Sequence, residues 1–204
     1  MENDKNLICF LSWGRTDLTS QAFKSLLESI REQDRLLVLD QEMLNFDFYA
    51  TYKDKIDFLM LFKGNYGIGT MWTFLRYFTW WLDSIKSYKD GWYPDFINFV
   101  ENDVIGKKGW IDRLLKIFEL DSRIGIATGF DEKDRKGFII DKSSCGVQML
   151  IRTEDFIRLI KNLKPFGQDY DISFRNQQDG KLVGILAEEI KHIGVGRSKT
   201  SKSL

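Results

Sequence analysis

The sequence predicts an α/β fold, with a mainly parallel central sheet flanked by helices, and three features carry that prediction. Short all-apolar runs at residues 7–11, 36–39, 58–62 and 96–97 with 99–100 have the look of strands buried on both faces. Segments with apolar residues at helical spacing alternate with these runs. Strand, helix and strand in that order make a βαβ unit, and such sheets bind ligands beyond the carboxyl ends of their strands.

Taken in order, the first run (residues 7–11) breaks at Ser12-Trp13-Gly14-Arg15-Thr16-Asp17. Apolar residues at 18, 22, 23, 26, 27 and 30 set a helix over 18–30, with Asp17 or Thr19 as its cap. Residues 35–40 repeat the strand signature and end in Asp40, which either faces a ligand or sits in an ordinary solvated turn. Residues 41–57 are weakly patterned and read as loop with a helical turn. The third run, 58–62, leads into a glycine-rich connection at 63–70 and a helix continuing to Tyr88. Backbone N–H groups at such a helix start can hold an anion, although glycines also simply permit tight turns. Trp72, Tyr77, Phe78, Trp80 and Trp81 on this helix read as core rather than as a sugar-stacking platform.

The stretch 96–104 begins as a strand and ends in two carboxylates one residue apart, Glu101 and Asp103. Alternation along an extended chain sends both to one side. Converging like charges are costly unless a cation neutralises them, and oxygen ligands suit Mg²⁺ or Mn²⁺. The plainer alternative is a pair of solvated strand-end residues. A turn at 106–109 and a helix at 110–118 follow, then a strand at 123–129 and a charged, solvated turn at 130–137. Short strands at 138–140 and 147–151 precede a helix at 153–163 with Thr153 as N-cap. A helix at 172–178, with Asp171 and Arg175 placed for a surface ion pair, and strands at 182–186 and 190–193 close the folded part. The reading is one domain over 1–196 and a basic, disordered tail at 197–204.

Composition excludes several classes. Hydrophobic residues make up 43% and aromatics 14% of 204 residues, which argues against disorder. Thirty basic and 30 acidic side chains balance, against a broad nucleic-acid footprint. Cys9 and Cys145 match no metal or redox spacing and read as free thiols of a reducing cytoplasm. No signal peptide is visible, and no apolar stretch approaches the roughly 20 residues that span a bilayer. The expectation is a soluble cytoplasmic protein.

The order of these features resembles the family 2 glycosyltransferases, whose fold is called GT-A. Residues 10–19 are similar to the family's first strand and aromatic-Asn-Arg turn, with Gly14 in place of the Asn. Residues 36–40 resemble the second strand, whose terminal Asp contacts the nucleotide base; Gln41-Glu42-Met43 departs from the common Asn-x-Ser continuation. Residues 65–69 are similar to the segment before the donor-side helix. Val100-Glu101-Asn102-Asp103-Val104 resembles the metal-binding DXD region in an E-x-D form. Residues 166–175 resemble the Gly-Glu-Asp-x-Asp-Leu-x-x-Arg helix, with Gln168 replacing the Glu and the catalytic base falling on Asp169. His192, the only histidine, falls where many members place a third metal ligand, before Gly194 and Gly196.

The resemblance spans residues 7 to 196 and implies a GT-A-type, Rossmann-like mixed sheet and inverting sugar transfer from a nucleotide-diphosphate donor, taken to be a UDP-sugar. It implies Mn²⁺ or Mg²⁺ held by Glu101, Asp103 and His192, and a donor held by Ser12, Trp13, Arg15, Asp40, Asn65, Gly67, Glu101 and Asn102. Such a cation stabilises the leaving diphosphate, and a base such as Asp169 takes the proton of the attacking hydroxyl. A glycan, a lipid-linked sugar, a protein or a nucleic acid all stay open as acceptor. Two other readings stand beside this one. The first is a nucleotide-sugar-binding protein without turnover, suggested by Gln168, Gly14 and the missing Asn-x-Ser. The second is a nucleotidyltransferase, whose usual glycine-rich, Arg/Lys-containing loop is absent after the first strand.

Overall fold

In the computed structural model, residues 3–85, 91–130, 138–141, 148–160, 168–187 and 189–194 are described, those at 130, 138–141 and 168–170 as backbone. The parallel strands follow the apolar runs: β1 (Asn6–Trp13), β2 (Arg35–Gln41), β3 (Phe58–Phe62) and β4 (Phe96–Glu101). A short β5 (Val104–Gly106) follows, then β6 (Ile124–Phe130), β7 (Phe138–Asp141), β8 (Gln148–Arg152), β9 (Leu182–Ala187) and β10 (Ile190–His192). Eight strands form one sheet in the order β3-β2-β1-β4-β8-β6-β9-β7, while β5 and β10 make a separate antiparallel ribbon. Among the described strands only β8 and β7 pair antiparallel to their sheet neighbours, so the sheet is mixed and mainly parallel, as the βαβ pattern implied.

Helices cover both faces because alternate residues of each buried strand point to opposite sides. Leu7, Cys9 and Leu11 of β1, with Leu37, Leu39, Ile97 and Phe99, face α3 (Ile68–Ile85), α5 (Thr153–Leu159) and α6 (Gln168–Gln178). Ile8, Phe10, Leu36, Val38 and Val100 face α1 (Thr16–Leu27), α2 (Phe46–Ala50) and α4 (Trp110–Leu120). Along α3 the buried residues Met71, Trp72, Leu75, Phe78 and Leu82 form one stripe. Tyr77, Trp80 and Trp81 stay exposed outside it, so the reading of these aromatics as core holds for Trp72 and Phe78 alone among the five.

Several boundaries differ from the sequence reading. Helix α1 starts at Thr16 rather than 18, with Arg15 at the cap position, and neither Asp17 nor Thr19 caps it; the Thr19 hydroxyl instead donates to the Gly14 carbonyl at 3.2 Å. Thr153 is the first residue of α5 rather than its cap, because its hydroxyl donates to the Pro94 carbonyl at 2.8 Å. The stretch read as loop with a helical turn holds that turn as α2 and adds a 3-10 turn, Lys53–Lys55. Helix α6 begins at Gln168, four residues earlier than expected. Arg175 lies 3.9 Å from Asp171 and also donates to the Leu159 carbonyl at 2.7 Å, tying α6 to α5. Of the turn expected at 130–137, residue 130 ends β6, and the rest, with Cys145 and the tail, lies outside the described residues. Among the described residues no helix is long and apolar enough to cross a membrane.

Candidate functional site

Strand order locates the site. The chain lays β2 and β3 on one side of β1 and then returns to place β4 on the other. Between the carboxyl ends of β1 and β4 the order reverses, and α/β sheets bind ligands at such a switch point. The β1 end carries Ser12 and Trp13; the β4 end carries Glu101, which follows directly into Asn102 and Asp103.

The ribbon supplies the third group. Val104 pairs with His192 and Gly106 with Ile190, and the Ile193 N–H donates to the Asp103 carbonyl at 2.8 Å. Ile190 rests on Gly129, where a Cβ would stand 2.9 Å from the Ile190 Cβ, so that glycine lets the ribbon lie close to the sheet. On its other flank the ribbon is tied to α1: Ser25 Oγ donates to the Gly106 carbonyl at 2.9 Å and accepts from the Gly106 N–H at 3.0 Å. One ligand atom from each of Glu101, Asp103 and His192 lies within 4.8 Å of the others.

Asp103 is the centre of this cluster. Its side chain is buried, and Oδ2 lies 3.0 Å from both His192 Nε2 and Arg15 Nη1. Its other oxygen, Oδ1, is buried with no hydrogen-bond partner among the described residues. An unsatisfied buried carboxylate oxygen calls for a ligand, and two carboxylates with an imidazole are a donor set that Mn²⁺ or Mg²⁺ accepts. The residues therefore fit a divalent ion. Gly194 closes one wall; a Cβ there would sit 2.8 Å from both Arg15 Nη2 and Asp103 Cγ.

The turn after β1 is held from several sides. Gly14 and Arg15 both take left-handed backbone angles, at φ 55° and 50°. The Gly14 carbonyl accepts from the Thr19 hydroxyl at 3.2 Å and from the Asn102 and Asn45 side chains at 3.4 and 3.5 Å. Asn102 also donates to Thr19 Oγ1 at 2.7 Å, which clamps the acidic segment to this turn. Trp13 is half exposed and donates its indole N–H to Glu42 at 2.9 Å.

Not every expected residue faces the crevice. Ser12 and Asp40 are fully buried and bonded to each other at 2.5 Å, and Asp40 also accepts from the Asn45 backbone and side chain at 3.1 and 3.2 Å. Tyr49 is buried beside them, and burial pushes its phenol far above the ordinary range, so it stays protonated. Asn65 Oδ1 accepts from the Gly67 N–H at 2.9 Å, while the Tyr66 N–H donates to Gln41 at 2.7 Å, fixing the turn that opens α3 at the end of β3. Asp169 lies in the first turn of α6, and its side chain is outside the described residues. The sequence reading missed Thr19 as a partner of Asn102, and it missed Asn45; a polar residue in a weakly patterned loop gives no signal of the contact it makes.

No family model matches the chain, and no curated protein matches it by sequence. Solved structures do. GalNAc-T7 with UDP, GalNAc and Mn²⁺ aligns with a TM-score of 0.66 and 10% identity, covering 92% of this chain and 43% of that one. The mannosyltransferase PcManGT from Pyrobaculum calidifontis, in complex with GDP-Man and Mn²⁺, gives 0.64 and 11%, covering 90% and 56%. TarS 1-349 of S. aureus gives 0.63 and 9%, covering 91% and 58%. This chain thus spans 43–58% of the length of these structures. At such identities the likeness establishes the fold: the chain has the GT-A-type α/β fold of glycosyltransferases.

Proposed function

We propose that the protein is an inverting, metal-dependent glycosyltransferase that moves a sugar from a nucleotide-diphosphate donor, with UDP as the nucleotide, to an acceptor hydroxyl. The observation that carries this reading is the convergence of Glu101, Asp103 and His192 at the switch point, with the buried Asp103 Oδ1 left for a ligand. A divalent ion bound there supplies positive charge where the departing diphosphate becomes more negative. The Mn²⁺ and nucleotides of two structural neighbours support the same pairing.

The chain's own residues do the remaining work. Glu101, Asp103 and His192 hold the ion, and Asn102 keeps their segment against the β1 turn. Trp13, exposed at the end of β1, offers an indole face to the nucleoside base, with Arg15 beside it. Asp40 positions that turn through Ser12 and Asn45 rather than touching the donor. Asn65 and Gly67 shape the start of α3 on the donor side. Asp169 takes the proton of the acceptor hydroxyl as its oxygen bonds the anomeric carbon, while the bond from that carbon to the diphosphate oxygen breaks with its electron pair. Attack opposite the leaving group inverts the anomeric centre. The acceptor is a glycan, a lipid-linked sugar, a protein or a nucleic acid.

A nucleotide-sugar-binding protein without turnover is the second reading, favoured by the Arg15 guanidinium that already neutralises Asp103. Calorimetric titration of UDP, with GDP alongside, tests the donor site with and without Mn²⁺ on wild type and Asp103→Ala. Mn²⁺-dependent binding of UDP lost in the variant is expected; metal-independent binding, or none, rejects the cation site. Hydrolysis of a UDP-sugar that disappears in Asp169→Asn while UDP binding persists then separates the enzyme from the binding protein.

A further inference from the structure

We infer that Arg15 competes with the divalent ion for Asp103, and that the donor diphosphate relieves the competition by drawing the guanidinium to itself, so that metal and nucleotide bind as a coupled pair. The inference rests on the metal-site reading above and assigns Arg15 a role in regulating that site.

Four observations support it. First, Arg15 Nη1 and His192 Nε2 both lie 3.0 Å from the same oxygen, Asp103 Oδ2. A cation at the cluster would share that carboxylate with a guanidinium a few ångströms away. At such separations like charges near a protein surface repel strongly enough to cost at least about tenfold in affinity.

Second, the backbone puts Arg15 there at a cost. Its φ of 50° and ψ of 51° are left-handed, a conformation that disfavours a side chain, and Arg15 stands at the cap position of α1 without making a side-chain cap. The preceding residue is a glycine in the same region, so the turn has a residue that meets the geometry freely and still keeps an arginine next to it. Third, the guanidinium packs directly on Gly194, where a Cβ would lie 2.8 Å from Nη2, so the glycine makes room for it beside Asp103. Fourth, the exposures differ. The Arg15 side chain is 42% exposed, whereas that of Asp103 is 8% exposed. The carboxylate is fixed inside while the guanidinium stands at the mouth, free to turn outward to a ligand.

A diphosphate is the ligand chemistry that suits such a turn. Its oxygens accept paired N–H bonds from a guanidinium in the fork geometry that arginine offers and lysine lacks. Once Arg15 is engaged there, Asp103 is available to the ion. Linkage then requires the ion to strengthen nucleotide binding by the factor with which the nucleotide strengthens ion binding.

The test measures Mn²⁺ binding without turnover, by the free-ion signal in electron paramagnetic resonance, with and without UDP. Wild type is compared with Arg15→Gln, Arg15→Gly and Arg15→Lys. The glycine variant adopts the left-handed angles freely, so it covers the case in which Arg15→Gln fails to fold. Without UDP, the Gln and Gly variants are expected to bind Mn²⁺ at least about tenfold tighter than wild type, with Lys close to wild type. UDP should tighten Mn²⁺ binding in wild type and do so far less in Gln and Gly. Equal or weaker Mn²⁺ binding by both variants, where wild type binds it, overturns the competition and leaves the metal site standing. No Mn²⁺ binding by any of the four proteins, even with UDP, overturns both readings.

Discussion

The contact between Asn102 and Thr19 can be tested by a double-mutant cycle, because it links two segments far apart in sequence through a short list of bonds. Asn102 Nδ2 donates to Thr19 Oγ1 at 2.7 Å, and reaches the Trp13 and Gly14 carbonyls at 3.4 Å each. Asn102→Ala removes all three bonds at a buried position, while the Thr19 hydroxyl keeps its donation to Gly14. Removing a buried amide and leaving its acceptors short of a donor costs on the order of 2 kcal/mol. In a chain of 204 residues that lowers the melting midpoint by roughly 4–8 °C. Thr19→Val removes the hydroxyl and keeps the volume, so it breaks the same 2.7 Å bond from the other side. Each single variant therefore contains the cost that the pair shares, and the double variant should be more stable than the sum of the singles predicts by about 1 kcal/mol. Urea denaturation followed by tryptophan fluorescence supplies the four free energies. A coupling below about 0.3 kcal/mol, the scatter of independent sites, would refute the clamp.

Two further outcomes follow from the geometry. Burial raises the Asp155 carboxyl, but hydrogen bonds from Lys181 and Arg158 outweigh it and leave the group below its ordinary value. A depressed folded value means the contribution is present above the unfolded value of about 4 and is lost as pH falls through the folded one. Asp155→Asn should thus lower stability at pH 7 and matter less at pH 3; an equal difference at both, by urea denaturation, contradicts the assignment. In Gly194→Ala the new methyl presses on Arg15 and on the buried Asp103, so Mn²⁺ binding by calorimetry should weaken while the midpoint moves by less than about 4 °C. Unchanged Mn²⁺ binding would show that the turn after His192 absorbs the methyl.

The strands of the parallel half were legible because burial on both faces leaves an apolar run that no surface element carries; β1 and β2 are buried almost along their length. The start of α1 was not, since a glycine and an arginine in left-handed conformation set it, and no capping side chain marks it. A ribbon strand of three residues is too short to show a period, so β5 left no pattern, while β10 was legible only as the apolar ends of the stretch 190–193. Helix α3 misled in another way. It is apolar nearly all round, and periodicity alone gives no reason why only the stripe through Trp72 and Phe78 meets the sheet. At the site, the spacing of Glu101 and Asp103 told that they share a side, whereas His192 entered only by resemblance to a family. Asp40 shows the limit clearly. The strand end was legible, but whether its carboxylate turns outward depends on Ser12 and Asn45, which approach it through tertiary structure.

The pairing of Val104 with His192 has a consequence for the order in which the molecule is made. Strands β1 to β4 can assemble as their residues leave the ribosome, since β2, β3 and β4 each pair with a strand already synthesised. The cluster cannot, because its imidazole arrives nearly ninety residues after its carboxylates. Until that last strand docks, a nascent chain carries Glu101 and Asp103 without their histidine. Translation itself thus times the completion of the proposed ion site, which closes in one late step instead of growing with the sheet.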